Sequence, residues 1–172
     1  SYATYLPPPP IPDGLLFNST MSAKEYLNRA NSKLDLEDYY GAIDDYNKVI
    51  ELDPNNLRAY ALRGATKHKL EDYSGAIKDY NKVIELDPDD ESAYGLRGKS
   101  KYELEDHSGA IQDYNKVIEL DPDDAYTYAL RAGSKHTLED YSGAKDDYTK
   151  AIELEPNNGL YYFMRGFEWN AL

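Results

Sequence analysis

The tetrapeptide Asp53-Pro54-Asn55-Asn56 returns as Asp87-Pro88-Asp89-Asp90, as Asp121-Pro122-Asp123-Asp124 and as Glu155-Pro156-Asn157-Asn158, each time 34 residues further on. A fixed period of this size means one supersecondary unit copied in tandem, so the chain is a stack of like pieces and not a closed globule. A stack of this kind lacks the deep, water-excluded pocket that chemistry usually needs. It offers an extended surface on which another chain can lie.

Each copy reads as a helix, a break and a second helix. Tyr60, Arg63, Gly64 and Lys67 recur at helical spacing, the break falls at Leu70-Glu71-Asp72, and a second amphipathic run extends from Tyr73 to Leu86. Asp38, Asp72, Asp106 and Asp140 stand where second helices should begin, and their carboxylates can accept from the free N–H groups of a first turn. The proline of each Asp-Pro or Glu-Pro pair stops that helix, and the Asn or Asp after it can cap the next one. Before this pattern, Leu6-Pro7-Pro8-Pro9-Pro10-Ile11-Pro12 holds the backbone in polyproline II and forbids helix. Residues 1–22 are therefore expected to form an extended arm and residues 23–172 one elongated repeat domain.

Superposing the copies gives columns. Tyr26, Tyr60, Tyr94, Tyr128 and Tyr162 form one, and Ala30, Gly64, Gly98, Ala132 and Gly166 a small-residue one. Ala42, Ala76, Ala110 and Ala144 form a third, with Tyr46, Tyr80, Tyr114 and Tyr148 one turn beyond. Small residues opposite large ones let helices approach closely. The 18 tyrosines against three phenylalanines suit a thin core, where a ring is buried while its hydroxyl reaches a wet edge.

These columns resemble the tetratricopeptide repeat family. The matching features are the aromatic–small pair Tyr60 with Gly64, the second-helix Ala76 and Tyr80, and the terminal Pro88. Four full units fit, at 23–56, 57–90, 91–124 and 125–158, and residues 159–172 look like the first helix of a fifth. The resemblance implies an all-α, right-handed α-solenoid of helix–turn–helix hairpins with a concave groove lined by the first helices. Its members mostly hold peptides, extended segments or helices of partner proteins.

By the family pattern the groove lining is Lys24, Leu27 and Asn31 in the first copy and Arg58, Ala61, Ala65 and His68 in the second, with Lys69 on the flank. Ser92, Gly95, Lys99 and Tyr102 follow in the third, then Tyr126, Ala129, Gly133 and His136 in the fourth. The Ala and Gly positions leave room for a bulky ligand. Lys24, Arg58, Lys69 and Lys99 suggest a neutral-to-basic groove in an acidic body, suited to an apolar or aromatic segment flanked by acidic groups. Some family members grip the terminal carboxylate of chaperone tails with Lys, Asn and Arg from three repeats. Here only Asn31 matches, and Leu27, Leu62, Ser92 and Leu96 stand in the other places, so this mode is rejected.

A second periodic feature is polar. Arg29, Arg63, Arg97, Arg131 and Arg165 recur on the first helix, with Lys33, Lys67, Lys101 and Lys135 one turn later. Asp45, Asp79, Asp113 and Asp147 recur on the second helix. A structural charge ladder between packed helices is the expectation, because an Arg between helices calls for a carboxylate partner. An anion-binding stripe is the alternative.

The rest of the sequence excludes more than it assigns. The net charge of −13 argues against a general nucleic-acid or anionic-membrane binder. The absence of cysteine removes thiol catalysis, disulfides and cysteine-ligated zinc. His68 and His136 lie two repeats apart, too far to share a metal, and His107 replaces a tyrosine of its column and is expected at a surface or edge. The Asp-Pro-Asp-Asp loops lack the alternating ligands of a calcium site. No cofactor and no metal are expected, and no enzymatic activity. No signal peptide pattern and no bilayer-length apolar run are present, which leaves the compartment open with the cytoplasm slightly favoured.

A non-enzymatic scaffold that binds a peptide or helix of another protein is the first reading. The alternatives are a self-assembling protein that oligomerises through residues 1–20 or 159–172, and a regulatory repeat domain of a larger protein. The arm itself has three readings: linker, ligand of a proline-binding module, or occupant of a repeat groove. Leu160, Tyr161, Phe163, Met164, Phe167 and Trp169 make the last segment apolar all round, so its outer face is expected to meet further chain or a second copy.

Overall fold

The structure is a computed structural model in which residues 20–171 are described; the proline-rich arm, residues 1–19, lies outside them. Among the described residues there are nine helices: α1 Ala23–Asp35, α2 Tyr39–Leu52, α3 Leu57–Lys69, α4 Tyr73–Leu86, α5 Glu91–Glu103, α6 His107–Leu120, α7 Ala125–Thr137, α8 Tyr141–Leu154 and α9 Gly159–Ala171. Most packing is between helices consecutive in the chain, and α3 also touches α5. The chain is thus an all-α solenoid of four hairpins and one further helix.

The helix boundaries are written in local chemistry. Ser22 and Glu25 close a capping box on α1. Asp38, Asp72, Asp106 and Asp140 cap the second helices by accepting from the N–H of Gly41, Gly75, Gly109 and Gly143 at 2.9 to 3.0 Å. A Cβ added at those glycines would lie 2.0–2.2 Å from the capping carboxylate, so a side chain there would oblige the carboxylate to shift. Asn56 and Asp90 cap α3 and α5 in the same way, and Asp124 caps α7.

The break inside each hairpin is a Schellman turn. Glu71 N–H donates to the His68 carbonyl at 3.0 Å and Asp72 N–H to the Lys67 carbonyl at 2.9 Å, which closes the last turn of α3. This geometry places Glu37, Glu71, Glu105 and Glu139 at φ 60 to 63°, the left-handed region that suits glycine. Four glutamates therefore sit in a conformation that costs a side-chain-bearing residue roughly 1–2 kcal/mol.

The core is thin and repeats with the hairpin. Ala42, Tyr46 and Val49, and their equivalents Ala76, Tyr80, Val83, Ala110, Tyr114 and Val117, are fully or almost fully buried. The tyrosines of the second helix face the small column of the first: an added Cβ at Gly64 would meet Tyr80 at 2.9 Å, and one at Gly98 would meet Tyr114 at 2.7 Å. Ala30 and Ala132 take the same place against Tyr46 and Tyr148. The other tyrosine column, Tyr26, Tyr60, Tyr94 and Tyr128, is only half-buried and lies under the arginines, 5.2–5.5 Å from ring centre to guanidinium carbon.

Those arginines form rungs. Arg63 Nε and Nη2 donate to both oxygens of the buried Asp79 at 3.0 and 2.6 Å, and Lys67 Nζ reaches Asp79 at 2.9 Å. The remaining Nη1 crosses to the preceding hairpin and donates to Asn47 at 2.7 Å. Arg97 does the same with Asp113 and Asn81, with Lys101 on Asp113, and Arg131 with Asp147 and Asn115. Arg29 pairs with Asp45; among the described residues its Nη1 reaches Met21 Sδ, at 3.2 Å, in place of an asparagine of a preceding hairpin, and its side chain is 47% exposed against 16–18% for the inner three. Each inner arginine therefore neutralises a carboxylate within its hairpin and staples that hairpin to its neighbour.

Two outcomes follow for unfolding midpoints in urea. Asp113→Ala leaves Arg97 and Lys101 without their carboxylate and costs about 3–5 kcal/mol, well above the loss from Arg29→Ala at the exposed end rung. Glu105→Gly relieves the left-handed residue and stabilises by roughly 0.5–1 kcal/mol, the strain relieved less the extra chain entropy of glycine.

Candidate functional site

The first helices present their groove columns on one side of the stack, and three adjoining hollows open there. One of about 260 Å³ lies between α5 and α7, lined by Ser92, Gly95, Leu96, Lys99, Tyr126 and Leu130, with Glu91 and Asp124 at its rim. A second of about 300 Å³ shares Lys99, Tyr126 and Leu130 with it and adds His68, Tyr102, Glu103, Ala129 and Gly133 over Tyr114. A third of about 230 Å³ shares Tyr102 and Gly133 and continues to His136, Met164 and Phe167. Shared walls make them one trough running from α5 to α9.

The trough exists because of what the repeat omits. A Cβ on Gly133 would have no atom within 4 Å, and one on Gly95 would meet only Val117 at 3.8 Å. Tyr102 and Tyr126 stand up beside these gaps, 37% and 52% exposed. Lys99 Nζ lies 4.7 Å from the centre of the Tyr126 ring, which holds the amine against the wall.

Not every groove residue read from the sequence joins the trough. Lys24, Leu27, Asn31, Arg58, Ala61, Ala65 and Lys69 line none of the three hollows. Leu27 packs on the buried cluster of Ala30, Ala42 and Tyr46. Asn31 accepts from the Tyr46 hydroxyl at 3.0 Å, so its amide serves the core. Lys69 rests 5.3 Å from the Tyr39 ring centre. In the second hairpin Ala65 replaces Asn31, and the buried Tyr80 hydroxyl has no hydrogen-bond partner there. Leu96, Leu130, Met164 and Phe167 are trough residues that the family pattern did not point to. Leu96, Leu130 and Met164 share one column, a signal present in the sequence.

Two expectations need correction. The groove was expected to be neutral to basic, but Lys99 faces Glu91, Glu103 and Asp124 across the first two hollows, so their lining is acidic on balance. The reason is position: the first turn and last turn of α5 and the cap of α7 bring loop carboxylates to the rim. His107 was expected at a surface or edge. It is half-buried, with its ring edge-on to Tyr102 at 4.8 Å and its Nδ1 buried without a partner. The same ring pair occurs with its members exchanged at His68–Tyr73, 5.0 Å, and His136–Tyr141, 5.3 Å.

His68 is tied into the trough floor. Ser100 Oγ donates its single proton to the Leu96 carbonyl at 3.0 Å, so it accepts from His68 Nδ1 at 2.9 Å. That assignment makes Nδ1–H the proton-bearing nitrogen of the neutral ring. Burial lowers the His68 pKa below its ordinary 6.5, against the smaller upward pull of Glu103. The unfolded chain then binds more protons than the folded one below about pH 6.5, so this contribution to stability is lost on acidification. The His68 ring protons should titrate with a midpoint under 6.5 by NMR, and His68→Gln should flatten the fall in unfolding midpoint between pH 7 and 5.

No group of three or more His, Cys, Asp or Glu that could hold a metal occurs among the described residues, and no helix there is long and apolar enough to cross a membrane. Family models of the tetratricopeptide repeat match residues 23–56, 57–90 and 125–158, and a TPR repeat model matches residues 98–133. No curated protein sequence matches the chain. Among solved structures, a crystal structure of MamA protein is similar at TM-score 0.83 and 24% identity, covering 87% of this chain and 81% of that one. MamA residues 41 to the end from Desulfovibrio magneticus RS-1 gives TM-score 0.75 and 26% identity, over 80% of this chain and 77% of that one. The first TPR of Spaghetti (RPAP3), bound to the HSP90 peptide SRMEEVD, gives TM-score 0.65 and 25% identity, over 69% of this chain and 94% of that one. Repeat period, hairpin geometry and matched models agree, and the chain belongs to the tetratricopeptide repeat family.

Proposed function

We propose that the protein is a non-enzymatic scaffold that holds a segment of another protein along the trough from α5 to α9. The observation that carries this reading is the vacancy over Gly133, flanked by Tyr102 and Tyr126 and continuous with the hollows on either side. An aromatic or branched aliphatic side chain of the partner enters that gap and buries its surface against Ala129, Leu130 and the tyrosine rings, at roughly 25 cal/mol per Å² of apolar area. Tyr is a rigid, amphipathic wall of the kind that concentrates binding energy in few residues.

The rim selects the flanks of the segment. Glu91, Glu103 and Asp124 outnumber Lys99 around the first two hollows, and the whole chain carries −13. A partner with lysine or arginine beside its apolar anchor gains both steering and local pairing. The family includes a similar structure that holds a peptide, which supports the general mode of binding. The chaperone-tail mode has no support in this chain: Asn31 is engaged by Tyr46, and Leu27, Leu62, Ser92 and Leu96 supply no cation or amide.

The test is selection from a displayed library of random 12-residue peptides against the full chain. Selected peptides should carry one Trp, Phe or Leu flanked by basic residues, and Gly133→Leu should weaken them at least tenfold with an unchanged unfolding midpoint. Peptides indifferent to Gly133→Leu, or an acidic consensus, would overturn the reading.

A further inference from the structure

The second helix of each hairpin buries a tyrosine: Tyr46, Tyr80, Tyr114 and Tyr148. A buried phenol needs a partner for its hydroxyl, and the copies differ in what they supply. In the first hairpin the Tyr46 hydroxyl reaches the first helix and donates to the side-chain carbonyl of Asn31 at 3.0 Å. In the second hairpin the column of Asn31 holds Ala65, which has nothing to accept with, and the buried Tyr80 hydroxyl has no partner. In the third hairpin the same column holds Lys99. An ammonium has no lone pair to accept with, and Lys99 Nζ lies against the Tyr126 ring, 4.7 Å from its centre.

Tyr114 is 1% exposed, and among the described residues its hydroxyl takes part in no hydrogen bond. Tyr80 lines none of the three hollows, whereas Tyr114 forms part of the second. Burial, with smaller contributions from Tyr126, Tyr102, Asp113 and Glu103, raises its pKa above the ordinary 10, so the group is an O–H donor at neutral pH. Tyr126, Tyr102 and Glu103 are themselves walls of the second hollow, which puts the hydroxyl at the base of that hollow. A buried donor without an acceptor is costly, and phenylalanine would fill the same shape without the cost. The second hollow therefore holds an unanswered donor, with the Glu103 carboxylate as an acceptor on its wall.

We propose that the segment held in the trough places a side-chain carboxamide, of Gln or Asn, in the second hollow, where its oxygen accepts from the Tyr114 hydroxyl and its NH2 donates to Glu103. This rests on the trough reading above and names the polar group that accompanies the apolar anchor. A carboxamide is what the first hairpin already sets against the equivalent tyrosine, with Asn31 supplying it from within the chain. A carboxylate would be repelled by Glu103 and by Glu91 and Asp124 at the adjoining rim, and it has no proton to donate. An apolar side chain would leave the Tyr114 donor buried and unpaired. Tyr114 is thus a specificity-determining residue: the space over Gly133 admits the anchor, and the hydroxyl selects what stands beside it. A site built to hydrogen-bond its ligand discriminates strongly against ligands that lack the matching group.

The probe is a displayed library of random 12-residue peptides selected on the full chain. Recovered peptides should carry Gln or Asn at one fixed spacing from the Trp, Phe or Leu anchor. The tightest of them, made synthetically, should bind Tyr114→Phe about tenfold more weakly, the worth of one hydrogen bond. Changing its Gln or Asn to Leu should cost about as much on the original chain and under about twofold on Tyr114→Phe, which shows that the two losses are one interaction. Urea unfolding separates this role from a structural one. Tyr114→Phe should unfold at the same or a higher midpoint, because the hydroxyl is unpaired in the free chain, whereas Tyr46→Phe should unfold at a lower one, because it removes the donor to Asn31. Tyr80→Phe should match Tyr114→Phe in stability and leave peptide affinity unchanged. Peptides with no carboxamide at a fixed spacing, peptides with Asp or Glu in that place, or affinity indifferent to Tyr114→Phe would overturn the proposal. Where Gly133→Leu still weakens those peptides, the trough reading survives that failure; indifference to both substitutions would end both.

Discussion

The rest of the structure depends on one interaction, the buried carboxylate shared by an arginine and a lysine and extended by that arginine to the hairpin before it. Asp79, Asp113 and Asp147 are almost fully buried, and each is offset by two cations within hydrogen-bond reach. A thin solenoid has little apolar core per repeat, because each hairpin touches only its neighbours. The rung supplies what the core cannot. It fixes the register of the two helices within a hairpin and, through Asn47, Asn81 and Asn115, the register between hairpins. A bidentate fork allows one angular arrangement, whereas alanines sliding on tyrosines allow several.

That arrangement separates two duties that share the same helices. Columns facing the second helix stay uniform from copy to copy, and their small residues and tyrosines carry stability. Columns on the open side differ: Asn31, Ala65, Lys99, Gly133 and Phe167 occupy one column in five successive first helices. Function in a repeat protein of this kind is read from the departures. Gly133 removes a wall, Phe167 extends an apolar floor, and Asn31 is drawn inward to satisfy a tyrosine. The open trough thus falls at the third hairpin and beyond, and the first hairpin is the more conventional structural end.

Much of the architecture was legible. The period gave the stack, the Asp and Asn caps gave the helix starts, and the Asp-Pro pairs gave the stops, because each is a local rule of backbone chemistry. What escaped was set across helices. Nothing in Glu37, Glu71, Glu105 or Glu139 announces a left-handed turn, since glutamate has no preference for it; the Schellman hydrogen bonds impose it. The exchange of His107 with Tyr102 looked like a lone surface substitution because its partner lies in a different column. The acidic sign of the trough was missed because Glu91, Glu103 and Asp124 belong to helix ends, outside the columns that point into a groove.

The sequence by itself determined the hairpin, its repetition, the pairing of arginine with aspartate, and the columns that had to be small. These follow from contacts within 34 residues, which recur in each copy and are reinforced by it. Only the tertiary structure decided which small residues leave a vacancy and which are filled: Gly64 and Gly98 are occupied by a tyrosine and Gly133 is open, though all three are the same residue in a helix. The physical reason is that a glycine's space is defined by what the neighbouring helix brings to it. That depends on stacking geometry, which no single repeat contains.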